Sequence, residues 1–181
     1  MVQAALKNAD DFLLIMEAYE KQLLVYIRRT CSASQEDAQD ILQDVFIKAY
    51  RYLNSFDQDL KFSSWLYRIA HNQCIDWHRK NKNKQTLSGE DSDTVFEKLA
   101  SDLNLNDKID KKLNKEKIHE LLGELDKKYH DILVLKFLEE KDYNEISDIL
   151  KMPLGTSATQ INRAKKKFKS ILIDNKITSY E

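Results

Sequence analysis

A length of 181 residues allows one mid-sized domain or two small ones, and a formal net charge of −1 says nothing by itself about nucleic-acid binding. Hydrophobic residues make up 42% of the chain, which argues against wholesale disorder, and three glycines and one proline are too few for sheets with tight hairpins. The few glycines and the single proline therefore predict an all-α protein. Two cysteines are too few for a disulfide framework, and no apolar run approaches the ~20 residues of a membrane span. Because the N-terminus has no signal pattern either, a cytoplasmic protein is expected.

The first part of the chain, residues 1–83, predicts three helices. The opening helix runs from about Asp10 to the Arg28–Arg29 pair. Its apolar positions are Phe12, Leu13, Met16, Leu23, Leu24 and Ile27. Ser34 is then an N-cap with Asp37 at the third helical position, and an apolar stripe at 3-4 spacing follows as far as Leu53.

A loop at Asn54–Phe62 separates this second helix from a third, which runs from about Ser63 to Arg79. The third helix is expected to bury Leu66, Ile69, Ala70, Gln73 and Cys74. Residues 84–115 have mixed charges and no sustained apolar stripe, which predicts a flexible linker with room for a short helix near Val95–Leu99.

The third part, residues 116–181, predicts a helix-turn-helix. Two apolar helices come first, and Asp142 with Glu145 forms a capping box at the start of a short helix. A tight break at Met152–Gly155 leads to a last, basic helix from Thr156. A short helix, a turn and a longer basic helix is the order of a DNA-binding helix-turn-helix.

The last helix has two distinct faces at about 100° per residue. Ile161, Ala164 and Phe168 lie on the face expected to pack inward. Thr159, Asn162, Arg163 and Lys166 lie on the opposite face, where side chains reach bases or phosphates in a major groove. Free N–H groups at Thr156 and Ser157 would favour a nearby phosphate. The alternative is a solvated surface helix.

Opposite charges cluster at two places along the chain. Residues 163–169 contain five basic residues and no acidic one, whereas residues 36–44 contain four acidic residues and no basic one. Two such faces suggest two different partners, although ordinary solvated helix faces would give the same pattern.

The loop and the third helix of the first part suit single-stranded DNA. Aromatic residues supply stacking surfaces at Phe56, Phe62, Trp65, Tyr67 and Trp77. Cations supply phosphate contacts at Lys61, Arg68, Arg79 and Lys80. For each single aromatic taken alone a core role is favoured over stacking: we expect Trp65 to be half buried and leave Trp77 open.

Metal binding and catalysis have little support in the sequence. His71, Cys74 and His78 share a helix face, but no fourth zinc ligand lies nearby, so no metal is expected. There is no glycine-rich phosphate loop and no recognisable nucleophile–base pair, so neither a cofactor nor an enzymatic activity is expected.

Several segments together resemble a known family. LDKKYHDILVLKFLEEKDYNEISDILKMPLGTSATQINRAKKKF, from Leu125, resembles the promoter-binding region 4 of extracytoplasmic-function (ECF) sigma factors. DAQDILQDVFIKAY at Asp37–Tyr50 resembles region 2.2, and FSSWLYRIAHNQCIDWHRK at Phe62–Lys80 resembles regions 2.3 and 2.4. The matches lie in family order and cover about three quarters of the chain. The resemblance implies a region 2 domain at 1–83, a linker at 84–115 and a region 4 domain at 116–181.

The resemblance also implies partners and site residues. The partners are core RNA polymerase, through its β′ clamp helices and β flap, promoter DNA and an anti-sigma factor, which the family suggests but no residue proves. The polymerase set is Asp37, Asp40, Gln43, Asp44 and Lys48. The −10 set is Ser55, Phe56, Lys61, Trp65, Arg68, Asn72, Asp76, Arg79 and Lys80. The −35 set is Lys136, Tyr143, Thr156, Ser157, Ala158, Thr159, Gln160, Asn162, Arg163, Lys166 and Lys167.

One departure from the family pattern bears on the −35 element. Family members often have cations shortly after the Gly-Thr-Val of the last helix, where this chain has Ser157–Gln160. Either the −35 sequence differs, or affinity shifts toward the cations from Arg163 onward.

Two other functions fit a helix-turn-helix without the family match. A repressor or activator would form a dimer on a palindromic site. For a helical adaptor without DNA contacts, Arg163→Ala and Lys166→Ala would leave the DNA affinity and its salt dependence unchanged.

Overall fold

The computed structural model describes residues 2–6, 8–81 and 120–175. All regular structure in these residues is helical, and they contain no strand. The helices before residue 82 form one compact unit, and most of residues 120–175 belong to a second. The predicted all-α fold in two helical units is therefore confirmed. The linker and the short helix predicted near Val95–Leu99 lie outside the described residues.

The first unit is built on three long helices. A short helix α1 (Val2–Ala5) and a 3₁₀ turn (Ala9–Asp11) precede α2 (Phe12–Cys31). Helix α3 (Gln35–Tyr52) ends in a 3₁₀ turn (Leu53–Ser55), and α4 (Phe62–Lys80) follows the loop. Each of α2, α3 and α4 packs on the other two.

The apolar stripe of α2 differs from the predicted one at one position. Leu13 was expected to face inward, but it is 57% exposed, whereas Phe12, Ile15 and Leu23 are buried. The buried residues follow the 3.6-residue period, and Leu13 lies about 100° away from Phe12. The buried face of α2 thus begins at Phe12 and leaves Leu13 exposed to solvent.

The start of α3 agrees with the predicted N-cap. The hydroxyl oxygen of Ser34 accepts a hydrogen bond from the backbone N–H of Asp37 at 3.1 Å. The Asp37 carboxylate accepts from the Ser34 hydroxyl at 2.9 Å. A side chain therefore satisfies one of the free N–H groups of the first turn, as the sequence predicted.

Replacing this cap gives a local stability prediction. Ser34→Ala is expected to lower the free energy of unfolding of the first unit by about 1 kcal/mol, because the N–H of Asp37 loses its acceptor. Ser34→Thr keeps the hydroxyl, and with it both hydrogen bonds to Asp37, and should recover most of the loss. Urea unfolding followed by circular dichroism measures both variants, and an Ala variant as stable as the parent would show that the cap contributes nothing.

The second unit contains the helix-turn-helix. Residues 120–123 are helical, and α5 (Lys127–Leu133) continues directly into a π-helical turn (Val134–Leu138). Helix α6 (Tyr143–Leu150) and helix α7 (Leu154–Asp174) follow, and α5 packs on α7. The buried apolar residues of this unit include Leu121, Ile132, Leu133, Leu135, Ile146, Ile161, Phe168 and Leu172.

The capping box predicted before α6 is confirmed in both halves. The Glu145 N–H donates to the Asp142 carboxylate at 2.8 Å, and the Asp142 N–H donates to the Glu145 carboxylate at 3.0 Å. Helix α6 ends at Leu150, and Lys151 follows with a φ of 49°. This left-handed conformation usually favours glycine, so a lysine here costs the turn some strain.

Helix α7 begins earlier than the sequence predicted. The expected start was Thr156, but the helix begins at Leu154 with Pro153 as its N-cap. The Pro153 carbonyl accepts the N–H groups of Thr156 at 2.8 Å and Ser157 at 3.0 Å. The prediction that these two N–H groups are free for a phosphate is therefore wrong, because proline, with its fixed φ, starts the helix two residues earlier.

Candidate nucleic-acid and protein interfaces

Helix α7 separates a buried apolar face from an exposed polar one. Ile161, Ala164 and Phe168 are fully buried. The exposed members of the −35 set lie on the other side of the helix: Thr156, Thr159, Asn162, Arg163, Lys166 and Lys167. Because α7 is a long helix supported along one side, these residues form a continuous strip that can enter a DNA groove.

Ser157 does not lie on this strip. Its side chain is 0% exposed, and its hydroxyl contacts the carbonyl oxygens of Leu154 at 2.8 Å and Tyr143 at 3.4 Å. The prediction that Ser157 contacts DNA through its side chain is wrong, because the hydroxyl joins the start of α7 to the start of α6. Its role is to set the geometry of the turn.

The remaining members of the −35 set lie at the edges of the strip or on preceding elements. Ala158 and Gln160 are half buried. Lys136, on the π-helical turn, places its ammonium 4.9 Å from the ring centroid of Tyr143 at the start of α6. This cation–π contact brings together two predicted residues that are seven positions apart.

The polymerase set forms an acidic surface on α3. Asp40, Gln43 and Asp44 are exposed, whereas Asp37 and Lys48 are half buried. Asp37 is engaged in the Ser34 cap. The carboxylates of Asp40 and Asp44, four residues apart, therefore present adjacent negative charges to a partner.

Next to this surface lies a groove between α2 and α3 that sequence reasoning missed. Its volume is about 820 Å³, and it is lined by apolar residues that include Phe12, Met16 and Phe46. Asp40 and Gln43 lie on its lining as well. The exposed side chains of Ile47 and Tyr50 were the available signal, since large apolar groups beside carboxylates are typical of a protein-binding surface.

The aromatic residues of the first unit form a cluster. Phe56 lies 5.2 Å from Phe62 and from Trp65, measured between ring centroids, and Tyr19 lies 5.8 Å from Phe62. Burial raises the pKa of the Tyr19 phenol, so this group stays neutral at physiological pH. The cluster holds the start of the loop, at Phe56, against the first turn of α4.

Two of these aromatics are more buried than predicted. Trp65 is 6% exposed instead of half buried, and Tyr67 is 1% exposed, packed 4.9 Å from Tyr26. The core role favoured for each single aromatic therefore holds for both, and the stacking role that they were offered as a group is wrong for them because Phe56 and Tyr26 cover their rings. Phe56, Phe62 and Trp77 remain half buried.

The polar members of the −10 set lie on the loop and along α4. Ser55, Lys61, Asn72, Arg79 and Lys80 are exposed, and Arg68 and Asp76 are half buried. The Asp76 carboxylate lies 3.1 Å from the Arg79 guanidinium and 3.9 Å from the Lys48 ammonium. One residue of the polymerase set therefore meets the −10 set across the α3–α4 packing.

The histidines and cysteine considered as zinc ligands are engaged in the core. A ring nitrogen of His71 lies 3.2 Å from the Tyr26 hydroxyl, and one of His78 lies 3.2 Å from the Thr30 carbonyl. Cys74 is fully buried. Within residues 2–6, 8–81 and 120–175, no cluster of histidine, cysteine or carboxylate groups could hold a metal ion.

No helix in these ranges has the length and hydropathy needed to cross a membrane.

Family models match both units. The model described as Sigma-70 region 2 matches residues 15–84, and the model described as Sigma-70, region 4 matches residues 115–168. The ECF RNA polymerase sigma factor SigW of Bacillus subtilis is 34% identical, over 92% of this chain and 91% of its own length. The ECF RNA polymerase sigma-E factor of Haemophilus influenzae is 30% identical, over 92% of this chain and 87% of its own length.

Two solved structures have a similar fold. CnrH in complex with the cytosolic domain of CnrY aligns with a TM-score of 0.67 and 24% identity, covering 95% of this chain and 94% of the other. The sigma factor RpoE in complex with the anti-sigma factor NepR from Bartonella quintana aligns with a TM-score of 0.63 and 17% identity, covering 90% and 96%.

Proposed function

The chain belongs to the extracytoplasmic-function family of RNA polymerase sigma factors, and from this premise we propose which of its residues bind each partner. The protein is a transcription initiation factor that binds core RNA polymerase and directs it to promoters with −10 and −35 elements. The observation that supports the assignment best is the exposed polar strip of α7, which is continuous and becomes basic from Arg163 onward.

Helix α7 binds the −35 element in the major groove. Thr156 and Thr159 enter first, and Arg163, Lys166 and Lys167 contact phosphates behind them. Lys136 on the π-helical turn and Tyr143 on α6, which are joined by their cation–π contact, also contact the −35 element. Ser157 acts only by holding α7 to α6.

The loop after α3 and the exposed side of α4 bind the −10 element. The half-buried ring of Phe56 supplies the stacking surface of the loop, on which Ser55 and Lys61 are exposed. Asn72 is placed to read a base edge, and Arg79 and Lys80 are placed to contact phosphates. The buried ring of Trp65 packs on Phe56, with 5.2 Å between the ring centroids, and holds it in position.

The acidic surface of α3 binds core polymerase, through the β′ clamp helices that the family uses. Asp40 and Asp44 steer a basic partner into register, and the apolar groove beside them supplies buried area. The β flap is the corresponding partner of the second unit. Since the polymerase supplies the nucleotidyl-transfer chemistry, the chain needs no catalytic activity of its own, and its place is the cytoplasm, with polymerase and DNA.

An anti-sigma factor is a further partner. RpoE, which has a similar fold, is found in complex with the anti-sigma factor NepR. In this chain the same kind of regulator would compete with polymerase for the acidic surface of α3 and the groove beside it. Copurification from the source cell, with and without core polymerase added in excess, identifies such a competitor.

The assignment of α7 predicts a change in salt dependence. Arg163→Ala and Lys166→Ala, made singly in the holoenzyme, should each weaken promoter binding across sequences and reduce the slope of log K against log salt concentration by about 0.9, because each removes one phosphate contact. Filter binding or fluorescence anisotropy at several salt concentrations measures the slope.

Lys21→Ala is the matched control, since Lys21 is an exposed cation of α2 outside all three sets. It should leave the slope unchanged. Slopes for Arg163→Ala and Lys166→Ala equal to that of the control would remove α7 from the DNA interface. Failure of the parent holoenzyme to stimulate promoter-dependent transcription over core polymerase alone would contradict the function as a whole.

A further inference from the structure

The carboxylate of Asp76 on α4 lies near two cations that belong to different predicted surfaces. Its Oδ1 atom accepts a hydrogen bond at 3.1 Å from the guanidinium of Arg79, which follows on the same helix. Its Oδ2 atom lies 3.9 Å from the ammonium of Lys48, which α3 contributes. Each oxygen therefore faces a different cation, one from the −10 set and one from the polymerase set.

The charges of this group argue against direct contact between Asp76 and DNA. A carboxylate that approaches a phosphate is repelled, and the base group that suits it, the amino group of cytosine, needs an oxygen that is free to accept. Both oxygens of Asp76 are already close to cations. The two cations and the one carboxylate together leave one positive charge for DNA. The group as a whole can therefore attract a phosphate, although Asp76 by itself cannot.

Arg79 is the member of the group that is most accessible to DNA. Its side chain is 72% exposed, compared with 37% for Asp76, and it lies in the last turn of α4. A long, exposed side chain samples many rotamers, and fixing it on a phosphate costs conformational entropy. The hydrogen bond to Asp76 removes part of this freedom before DNA binds. It uses one N–H donor of the guanidinium and leaves the others for a phosphate.

Lys48 holds the same carboxylate from the neighbouring helix. Since α3 packs on α4, the ammonium of Lys48 approaches Asp76 across the interface of the two helices. The Lys48 side chain is 45% exposed, so solvent screens this contact, which is also longer than the contact with Arg79. Asp76 therefore has one strong partner, Arg79, and one weaker partner that limits the rotation of its carboxylate.

We propose that Asp76 is a positioning residue, which holds the Arg79 guanidinium toward a phosphate of the −10 element and makes no contact with DNA itself. The sequence predicted Asp76 as a member of the −10 set, and its effect on promoter binding passes through Arg79. This inference rests on the proposed function of α4 in binding the −10 element, and it identifies how one phosphate contact of that helix is prepared.

The positioning role gives Asp76→Asn the opposite sign from simple electrostatics. Removing a carboxylate near a polyanion strengthens binding if charge alone decides. If Asp76 prepares Arg79, the same change weakens promoter binding, because the guanidinium loses its charged partner and must be ordered when DNA binds. We expect the affinity to fall about threefold, which corresponds to the strength of an exposed ion pair. Asp76→Glu keeps the charge and should retain most of the affinity.

The test uses the full chain assembled with core polymerase from the same organism. A promoter is first obtained by transcribing sheared genomic DNA of that organism with this holoenzyme and sequencing the RNA 5′ ends. The probe is a fluorescent fork of that promoter, double-stranded upstream and single-stranded through the −10 element. Fluorescence anisotropy gives its dissociation constant. A second fork with a scrambled −10 element measures how much of the affinity is specific.

A double-mutant cycle separates positioning from direct contact and from folding. Arg79→Met removes the guanidinium and should lower the affinity about eightfold in ~0.1 M salt, the effect of one phosphate contact. In the Arg79→Met background, Asp76→Asn should raise the affinity about twofold, because only the repulsion of the carboxylate is left. A merely structural role of Asp76 would give the same loss in both backgrounds. Glu17→Gln, which neutralises an exposed carboxylate of α2 outside all three sets, is the control and should leave the affinity unchanged in both.

The outcomes separate this inference from the proposed function. An affinity that is unchanged or higher in Asp76→Asn with Arg79 present overturns the positioning role and leaves α4 as a DNA-binding helix. A loss of equal size with and without Arg79 overturns it as well, since Asp76 would then act on DNA directly or through the fold. A parent holoenzyme that binds both forks equally overturns the −10 assignment of α4, and the positioning role with it.

Discussion

Reversing the two exposed carboxylates of α3 with Asp40→Lys and Asp44→Lys together should weaken binding to core RNA polymerase by about a hundredfold, since like charges placed opposite each other cost several kcal/mol. Both side chains are exposed and neither is engaged in the Ser34 cap, so their loss leaves the helix start intact. Promoter-dependent transcription should fall in parallel. Surface plasmon resonance with immobilised core polymerase measures the affinity, and run-off transcription measures the activity.

A matched control makes the same change of charge elsewhere in the first unit. Asp10→Lys with Glu17→Lys reverses two exposed carboxylates that do not line the groove between α2 and α3. This variant should bind core polymerase within about twofold of the parent, because charges outside the contact surface change mainly the association rate. Equal losses in the two double variants would mean that net charge, and not the surface of α3, governs the binding.

Phe168→Ala should lower the free energy of unfolding of the second unit by about 3–5 kcal/mol, because it removes a large side chain from a core that cannot fully collapse. Phe168 is fully buried on the face of α7 opposite the polar strip. A unit of this size has only a small reserve of stability, so the loss is enough to unfold a large fraction of it. Binding to the −35 element should then be lost.

Hydrogen exchange distinguishes this result from unfolding of the whole chain. Amides of α5 and α7 should lose protection in Phe168→Ala, while those of α2, α3 and α4 keep it, since the two units have separate cores. Phe168→Leu keeps most of the buried volume and should retain most of the protection in α7. Loss of protection in α2 and α4 as well would show that the units unfold together.

The elements of the fold were predictable because their signals are local. The Asp142–Glu145 capping box and the Ser34 cap each join residues three positions apart, and the structure forms both. The inward face of α7 follows from a 3.6-residue period, and Ile161 and Phe168 lie on it as predicted. Such signals need no knowledge of what packs on the helix.

Site residues were harder to predict where a distant element decides their exposure. Ser157 is a polar residue at the start of the recognition helix, which suggests a DNA contact. Its hydroxyl instead donates a hydrogen bond to the carbonyl of Tyr143, fourteen residues away. Trp65 and Tyr67 look like stacking surfaces along α4, but Phe56 and Tyr26 cover them. Nothing in the spacing along one helix shows which neighbour lies over a ring.

By itself the sequence determined the helices, the Ser34 cap, the Asp142–Glu145 capping box and the division of charge between an acidic α3 and a basic α7. These depend on hydrogen bonds within a turn and on the periodicity of single helices. Only the tertiary structure decided that Ser157 is buried with its hydroxyl near the Tyr143 carbonyl, that Asp76 lies near both Lys48 and Arg79, and that a groove opens between α2 and α3. The physical reason is that burial and ion pairing across helices depend on how separate segments pack, which the order of residues in one segment does not specify.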